Sequence, residues 1–368
     1  MSGGVDSSLT ALMLREQGHQ VVGLSLKLGQ GPDLAWQAGA RVASELGMAH
    51  LVVDAAAEFQ RWVVGPAIQA YASGRTPNPC ARCNARVKFP LLWRAAQEAG
   101  CSQLATGHYA RLVPGPSGMG LEQGVDQSKS QAYFLARLRP EQLEPLRFPL
   151  GDLTKSQVRE KAAEAKLSAA ERPESQDACF LPPGGWDEIV TKAGAVRPGR
   201  LVDEKGREVG RHGGLHCFTV GQRRGLGVAL GSPHYVLALN GPKAEVVLGP
   251  ADSLWASGLK GVNPVWHEKV TAQMELTVRL RYTHRAAACR VIQLGRGKGK
   301  KNFWGTDLES NDRMAGGGQA NQAEEAEITV EFEEPQKAVA PGQLAVFYRG
   351  ARVVGSAWIT QSIKHNGW

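Results

Sequence analysis

A chain of 368 residues, 42% hydrophobic and 21% charged, can bury two or three cores and is too apolar to be disordered. No apolar run approaches the ~20 residues that span a bilayer, and the N-terminus lacks the basic-then-apolar pattern of a secretory signal. The reading is therefore of a cytoplasmic protein with no membrane partner. Its net charge of +8 favours a polyanionic partner such as nucleic acid, although a basic balance alone does not identify one.

The first stretch, Met1–Ser8 (MSGGVDSS), sets Gly3 and Gly4 between the hydroxyls of Ser2 and of Ser7 and Ser8. Apolar Leu9, Leu12, Met13 and Leu14 then predict a helix over Ser7–Gln17. Glycines that let backbone amides approach a ligand, followed by a helix N-terminus, make a phosphate site, since the amides donate and the dipole favours negative charge. The spacing is not that of the Walker loop. A plain Ser/Gly helix cap is the alternative for a bare glycine pair.

Strands at Gln20–Leu26, Ala49–Val53 and Gln103–Thr106 alternate with helices at Ala35–Leu46, Glu58–Ser73 and Phe89–Glu98. That alternation predicts a doubly wound parallel sheet covered on both faces, with ligands at the carboxyl ends of its strands. A phosphate loop ordinarily follows a strand, and here only Met1 precedes it. Either an upstream start supplies that strand or the sheet forms without it.

The stretch Thr76–Phe89 (TPNPCARCNARVKF) reads as a rigid, exposed, non-helical turn because of Pro77 and Pro79. It presents Cys80 and Cys83 among Arg82, Arg86 and Lys88, cations that lower a thiol's pKa. A structural zinc site would need a second ligand pair, which the sequence does not supply, so a reactive thiol is favoured and no metal site is expected. Cys179 lies in a polar loop, Glu171–Leu181. The remaining thiols, Cys101, Cys217 and Cys289, read as buried structural residues, and six cysteines in a cytosolic chain do not suggest a disulfide framework.

Beyond a helix at Lys155–Lys166, capped at Thr154, the pattern changes. Residues 1–182 form the α/β domain, 183–254 a small all-β module, and 255–368 a strand-rich segment suggesting a β-barrel. Gly295–Glu327, poor in apolar residues, reads as a disordered insertion.

Taken together the chain resembles the tRNA-specific 2-thiouridylases, PP-loop (HUP-like) enzymes. The match carries SGGVDSS, the TPNP loop, ATGHYA (Ala105–Ala110), KSQAYFL (Lys129–Leu135), SQDACF, TVGQRRGLGV (Thr219–Val228), RLRYTH (Arg279–His284) and PGQLAVFY (Pro341–Tyr348) in that family's order. The resemblance implies that ATP, with magnesium, adenylates O2 of the wobble uridine and that sulfur from a cysteine persulfide replaces it. It implies nucleotide binding by Met1, Ser2, Gly3, Gly4, Val5, Asp6, Ser7, Ser8, Leu26 and Gly107. It makes Cys179 the persulfide carrier and Cys83 its partner. Contacts to tRNA or the base fall on Asn78, Pro79, Cys80, His108, Lys129, Ser130, Gln131, Arg281, Tyr282 and Gln343. The implied partners are tRNA and a sulfur donor, a cysteine desulfurase or persulfide relay, with the chain acting as a monomer.

Two departures keep alternatives open. Cys80 stands where the family often has Asp, so an iron–sulfur cluster on Cys80, Cys83 and Cys179 is a second reading. Ser130 replaces an Asp. A PP-loop enzyme adenylating another substrate would not need the cysteines, and a non-catalytic tRNA-binding protein would not need Asp6.

Overall fold

The computed structural model describes residues 1–29, 34–115, 118–170, 178–296 and 326–364. Gly4, extended at φ −83° and ψ 161°, starts α1 (Val5–Glu16), which leads through β1 (Gly23–Lys27), α2 (Leu34–Glu45), β2 (His50–Asp54), α3 (Ala56–Phe59) and α4 (Gly65–Ala72). Next come α5 (Pro79–Cys83), α6 (Phe89–Glu98), β3 (Leu104–Ala105) and the hairpin β4 (Ala110–Gly115) and β5 (Gly118–Gln123). Short α7 (Ala132–Leu135) and α8 (Pro140–Leu143) precede β6 (Leu146–Arg147) and α9 (Lys155–Glu164). At α9 the cap Thr154 accepts from the Gln157 amide while the Gln157 side chain returns to the Thr154 amide.

The parallel sheet comes in two pieces. β1 pairs with β2, Leu24 against Leu51, and β3 pairs with β6, Leu104 against Leu146. Bonds from Gly23 to Ala49 and from Ala55 to Lys27 occupy the β2 side of β1, so the main-chain groups of Leu24 and Leu26 point away from β2. Leu104 and Thr106 donate to Pro145 and Arg147, which leaves Ala105 pointing away from β6. Among the described residues no strand lies between these two edges. Met1 stands against β1, its amino group donating to the Leu24 carbonyl and its carbonyl accepting from Ser25 Oγ.

The middle segment opens with α10 (Gly185–Lys192) and continues as β7 (Gly199–Asp203), β8 (Glu208–His212), β9 (Tyr235–Asn240) and β10 (Glu245–Gly249), in sheet order β8-β7-β10-β9. The all-β expectation is thus corrected by α10 and by a 3₁₀ turn at Leu215–Cys217. The helix is fastened by Trp186, whose ring packs on Tyr71 and Phe180. The last six strands are β11 (Trp255–Trp266), β12 (Glu275–Arg279), β13 (Ala287–Arg296), β14 (Ala326–Lys337), β15 (Leu344–Arg349) and β16 (Arg352–Lys364). Their order β11-β14-β13-β12-β15-β16 is closed into a barrel by pairing of β11 with β16. Val278, Val291, Val330, Phe347 and Ile359 fill its interior. Gly295 pairs with Glu327 and Arg296 with Ala326, so the ends of the expected insertion belong to the ladder. Residues 297–325, and the disorder expected of them, lie outside the described residues.

The first domain and the barrel share a core. Phe89, Leu104, Leu121, Leu135 and Leu146 pack in one cluster with Val346 and Trp358, and β5 pairs with β16 at Glu122 and Arg352. Among the described residues no helix is long and apolar enough to cross a membrane.

Candidate active site

The loop before α1 is shaped by its glycines. Gly3 adopts φ +70°, and a Cβ there would lie 2.4 Å from that of Ala38, so the chain passes over α2 only without a side chain. Ser7 and Ser8 Oγ donate to the Gly4 carbonyl at 3.1 and 2.9 Å, and the Ser2 amide donates to Ser7 Oγ at 3.2 Å. These bonds fold the loop across the start of α1, where first-turn amides and the dipole favour an anion. Val5 and Ser8 are buried and anchor the helix.

Asp6 ties this loop to the rest of the domain. Lys155 Nζ, in the first turn of α9, reaches its two oxygens at 2.7 and 2.9 Å, and the Tyr109 hydroxyl donates to Oδ1 at 2.7 Å. The Lys155 ammonium lies 5.3 Å from the Tyr109 ring centre and is nearly buried. Sequence reasoning named neither residue as functional. Lys155 is 149 positions from Asp6, so no local spacing links them, and Tyr109 was visible only inside ATGHYA. Gly107 presses against the same place, since a Cβ on it would lie 2.7 Å from the Asp6 carbonyl carbon. Beside it His108 shares a 2.8 Å hydrogen bond with the Thr106 hydroxyl and packs against Phe89 and Phe148. Burial, then nearby Lys88, holds the His108 pKa well below the ordinary range, so the imidazole is neutral.

A cavity of about 710 Å³ opens beside the loop. Met1, Ser2, Asp6, Ser7, Leu26, Gly107, His108 and Gln131 line it, as do Lys88 and both cysteines, Cys83 and Cys179. Residues 96 apart in sequence thus line the same cavity as the phosphate loop.

The structure corrects the reading of Thr76–Phe89. Pro79 sits at the first position of α5, where its missing amide would have no partner, and Asn78 caps that helix by accepting from the Ala81 amide at 3.1 Å. A π-helical turn, Asn84–Lys88, joins α5 to α6. The stretch is helical and packed, with Cys83 buried beside Phe59, Val63, Val87 and Leu91. The expected lowering of the thiols is overturned as well. Burial pushes Cys83 up to about 12, with Lys88 opposing and Cys179 and Cys80 adding to the rise. Burial and then Cys179 push Cys80 up to about 11. The expected guanidinium help is directed elsewhere, because Arg82 donates to the Trp62 carbonyl and Arg86 lies over the Trp62 ring.

Cys179 is exposed, in contrast. Its neighbour Phe180 packs edge-on against Phe59 at 4.9 Å and joins the cluster that holds Cys83. That ring fixes the end of the Cys179 loop, whose residues 171–177 lie outside the described set. Cys217, expected to be buried, is exposed, whereas Cys289 is buried and Cys101 half-buried.

Of the other expected contacts, Gln131 lines the cavity and the rest are not among its lining residues. Gln343, from the barrel, donates to the carbonyls of Thr76 and Pro77 at 3.1 and 3.2 Å and so holds the entry to α5. Tyr282 stacks on Phe134 with centroids 4.7 Å apart, while Arg281 is exposed and Lys129 and Cys80 are half-buried. Ser130 is buried, its Oγ accepting from the Gly124 amide at 3.2 Å, which is a role within the fold. Gln131 accepts from the Tyr109 amide and also faces the cavity.

Residues 1–183 match the family model described as the tRNA methyl transferase HUP domain, 187–250 the PRC-barrel domain of the same series, and 314–359 the aminomethyltransferase beta-barrel domain. A protein of Sorangium cellulosum named tRNA-specific 2-thiouridylase MnmA is 40% identical over 99% of this chain and 92% of its own. Proteins of the same name from Geobacter metallireducens and Acidothermus cellulolyticus are 38% and 40% identical, each over 98% of this chain and over 95% and 96% of their own. A solved structure from Methanocaldococcus jannaschii, titled a predicted subunit of tRNA methyltransferase, is 21% identical with a TM-score of 0.31, covering 45% of this chain and 73% of its own.

Proposed function

The chain belongs to the tRNA-specific 2-thiouridylase family, and from that premise we propose that it replaces O2 of a wobble uridine in tRNA with sulfur, using ATP. The observation that carries the reading is the single cavity lined by the phosphate loop, Gly107, Cys83 and Cys179. A uracil carbonyl oxygen leaves poorly, so ATP first adenylates it and pyrophosphate departs. The Ser2–Ser8 amides and the start of α1 hold the pyrophosphate, with Leu26, Gly107 and neutral His108 beside the nucleotide. Asp6 and Ser7, which line the cavity, are the side chains that would hold magnesium, which would supply neutralisation of the phosphate charge.

Cys179 receives a sulfane sulfur from a desulfurase or persulfide relay. The terminal sulfur attacks C2 and AMP leaves. Cys83 then attacks the Cys179 sulfur, its proton passing to the released 2-thiouracil, which departs as the thiocarbonyl, and a Cys83–Cys179 disulfide closes for an external thiol to reduce. The target base lies in the anticodon loop, where splaying it out costs least. Asn78, Pro79, Lys129, Gln131, Arg281, Tyr282 and Gln343 are the proposed tRNA side of the site, approached by the chain as a monomer.

The test is thiolation of a tRNA transcript with ATP and a persulfide donor, read by nucleoside mass spectrometry. Cys83→Ser and Cys179→Ser should each abolish 2-thiouridine, and full activity in both would overturn the sulfur-transfer reading in favour of another adenylation. A cluster on Cys80, Cys83 and Cys179 is the second reading, with Cys80 and Cys83 both on α5. Cys80→Ser separates the two routes. Activity survives on the persulfide route and is lost, with bound iron, on the other.

A further inference from the structure

Outside the cavity, one cluster of metal-ligating side chains is used by nothing described above. His216 Nε2 lies 2.8 Å from Asp187 Oδ1, Cys217 Sγ lies 4.0 Å from the same oxygen, and the three donor atoms all fall within 4.8 Å of one another. Asp187 comes from the first turn of α10, and His216 and Cys217 from the 3₁₀ turn at Leu215–Cys217. The His216 side chain is 5% exposed and Asp187 72%. The imidazole is therefore buried, and the carboxylate reaches it from the exposed side.

Imidazole, carboxylate and thiolate are the donors zinc takes, and three from the protein leave a fourth position for water. Tetrahedral bonds of zinc-like length set donors roughly 3.3–3.6 Å apart. The separations of 2.8 and 4.0 Å from Asp187 lie on either side of that range, and that between His216 and Cys217 is at most 4.8 Å, so side-chain adjustment on metal binding is required.

We propose that Asp187, His216 and Cys217 bind a zinc ion that fastens α10 to the small β domain. On binding, the Cys217 thiol releases its proton to solvent and its sulfur takes up the metal bond, with the imidazole entering neutral. Asp187 adjoins Trp186, whose ring packs 5.7 Å from that of Phe180, next to Cys179. The ion thus braces the segment that carries Cys179. That bracing rests on the function proposed above, whereas the metal site does not.

Cobalt(II) titration of the full chain tests the site. One equivalent should give a visible thiolate-to-cobalt band with a tetrahedral spectrum, displaced by zinc. Cys217→Ser should lose that spectrum, and Asp187→Asn should weaken binding at least about tenfold. Zinc should raise the melting temperature of the parent and not of Cys217→Ser. An unchanged spectrum in Cys217→Ser would place the metal on other thiols and overturn the proposal, as would no binding at millimolar cobalt. Cys83→Ser and Cys179→Ser should keep the spectrum even where they lose thiolation, so failure of either proposal can be told from failure of the other.

Discussion

The phosphate loop and the cysteine pair are held in opposite ways. The loop is one short contiguous segment, pinned by Lys155 and Tyr109 at Asp6 and pressed from two sides at Gly3 and Gly107. The cysteines come from distant segments, Cys83 buried on a packed helix and Cys179 exposed at the end of a loop. The contrast matches what each half is proposed to do. Holding a leaving pyrophosphate requires amides already in place, whereas taking sulfur from another protein requires an exposed acceptor and a sheltered thiol to finish the exchange.

The largest expected effect separates these halves. Cys179→Ser should lower thiolation by at least about 10³-fold while leaving a first-turnover, tRNA-dependent release of pyrophosphate measurable, because only the nucleophile is lost. Equal loss of pyrophosphate release would mean that the two halves do not work as separate parts. On the loop side, Lys155→Met removes the cation held against Asp6 and leaves its negative charge, bonded by Tyr109 alone of the two partners, toward the phosphates. We expect adenylation to fall by about 10²-fold, with Lys155→Arg recovering much of it, in a pyrophosphate-release assay. No change would show that the Lys155–Asp6 pair only supports the fold.

A smaller effect distinguishes the thiols by pH. Cys83 and Cys80 are raised by burial to about 12 and about 11, so the folded state keeps protons that the unfolded chain gives up near the ordinary thiol value of 9.0. Their contribution to stability is present below about pH 9 and declines as pH rises toward those folded values. Denaturant unfolding at about pH 8 and about pH 10 should show that decline, reduced in Cys83→Ser. Iodoacetamide near pH 8 should modify Cys179 well before Cys83, and the reverse order would contradict the burial described here.

Much of the loop half was legible because its signals are local. Glycines beside hydroxyls, and apolar positions at helical spacing, say what Met1–Ser8 does without knowledge of the fold. The cysteine half misled where a local rule was read too strongly. Pro79 argues against a helix only in the interior of one, since proline at a first helical position is favoured, and Asn78 before it is a capping residue. Cations near Cys83 in sequence need not face it, because side chains leave a helix in different directions, and Arg82 and Arg86 turn to Trp62. Lys155 could not be found from spacing at all, since only the packing of α9 against α1 brings it to Asp6.

The remaining contrast concerns what stands behind the loop. Leu24 and Leu26 of β1, and Ala105 of β3, direct main-chain groups away from their paired strands, and the cavity is lined from both sides by Val22–Leu24 and Gln103–Ala105. Of the two edges, Met1 is hydrogen-bonded to that of β1, through Leu24 and Ser25. A strand running into Met1 between these edges would join the two sheet pieces and fix the loop's entry. Adding about five β-branched residues ahead of Met1 should therefore raise the melting temperature by several degrees and slow amide exchange at Leu24, Leu26 and Ala105. An extension of equal length interrupted by proline should do neither, because proline cannot donate to the ladder. If both extensions behave alike, the two edges are not a strand site, and the loop is anchored by Asp6 and its glycine contacts alone.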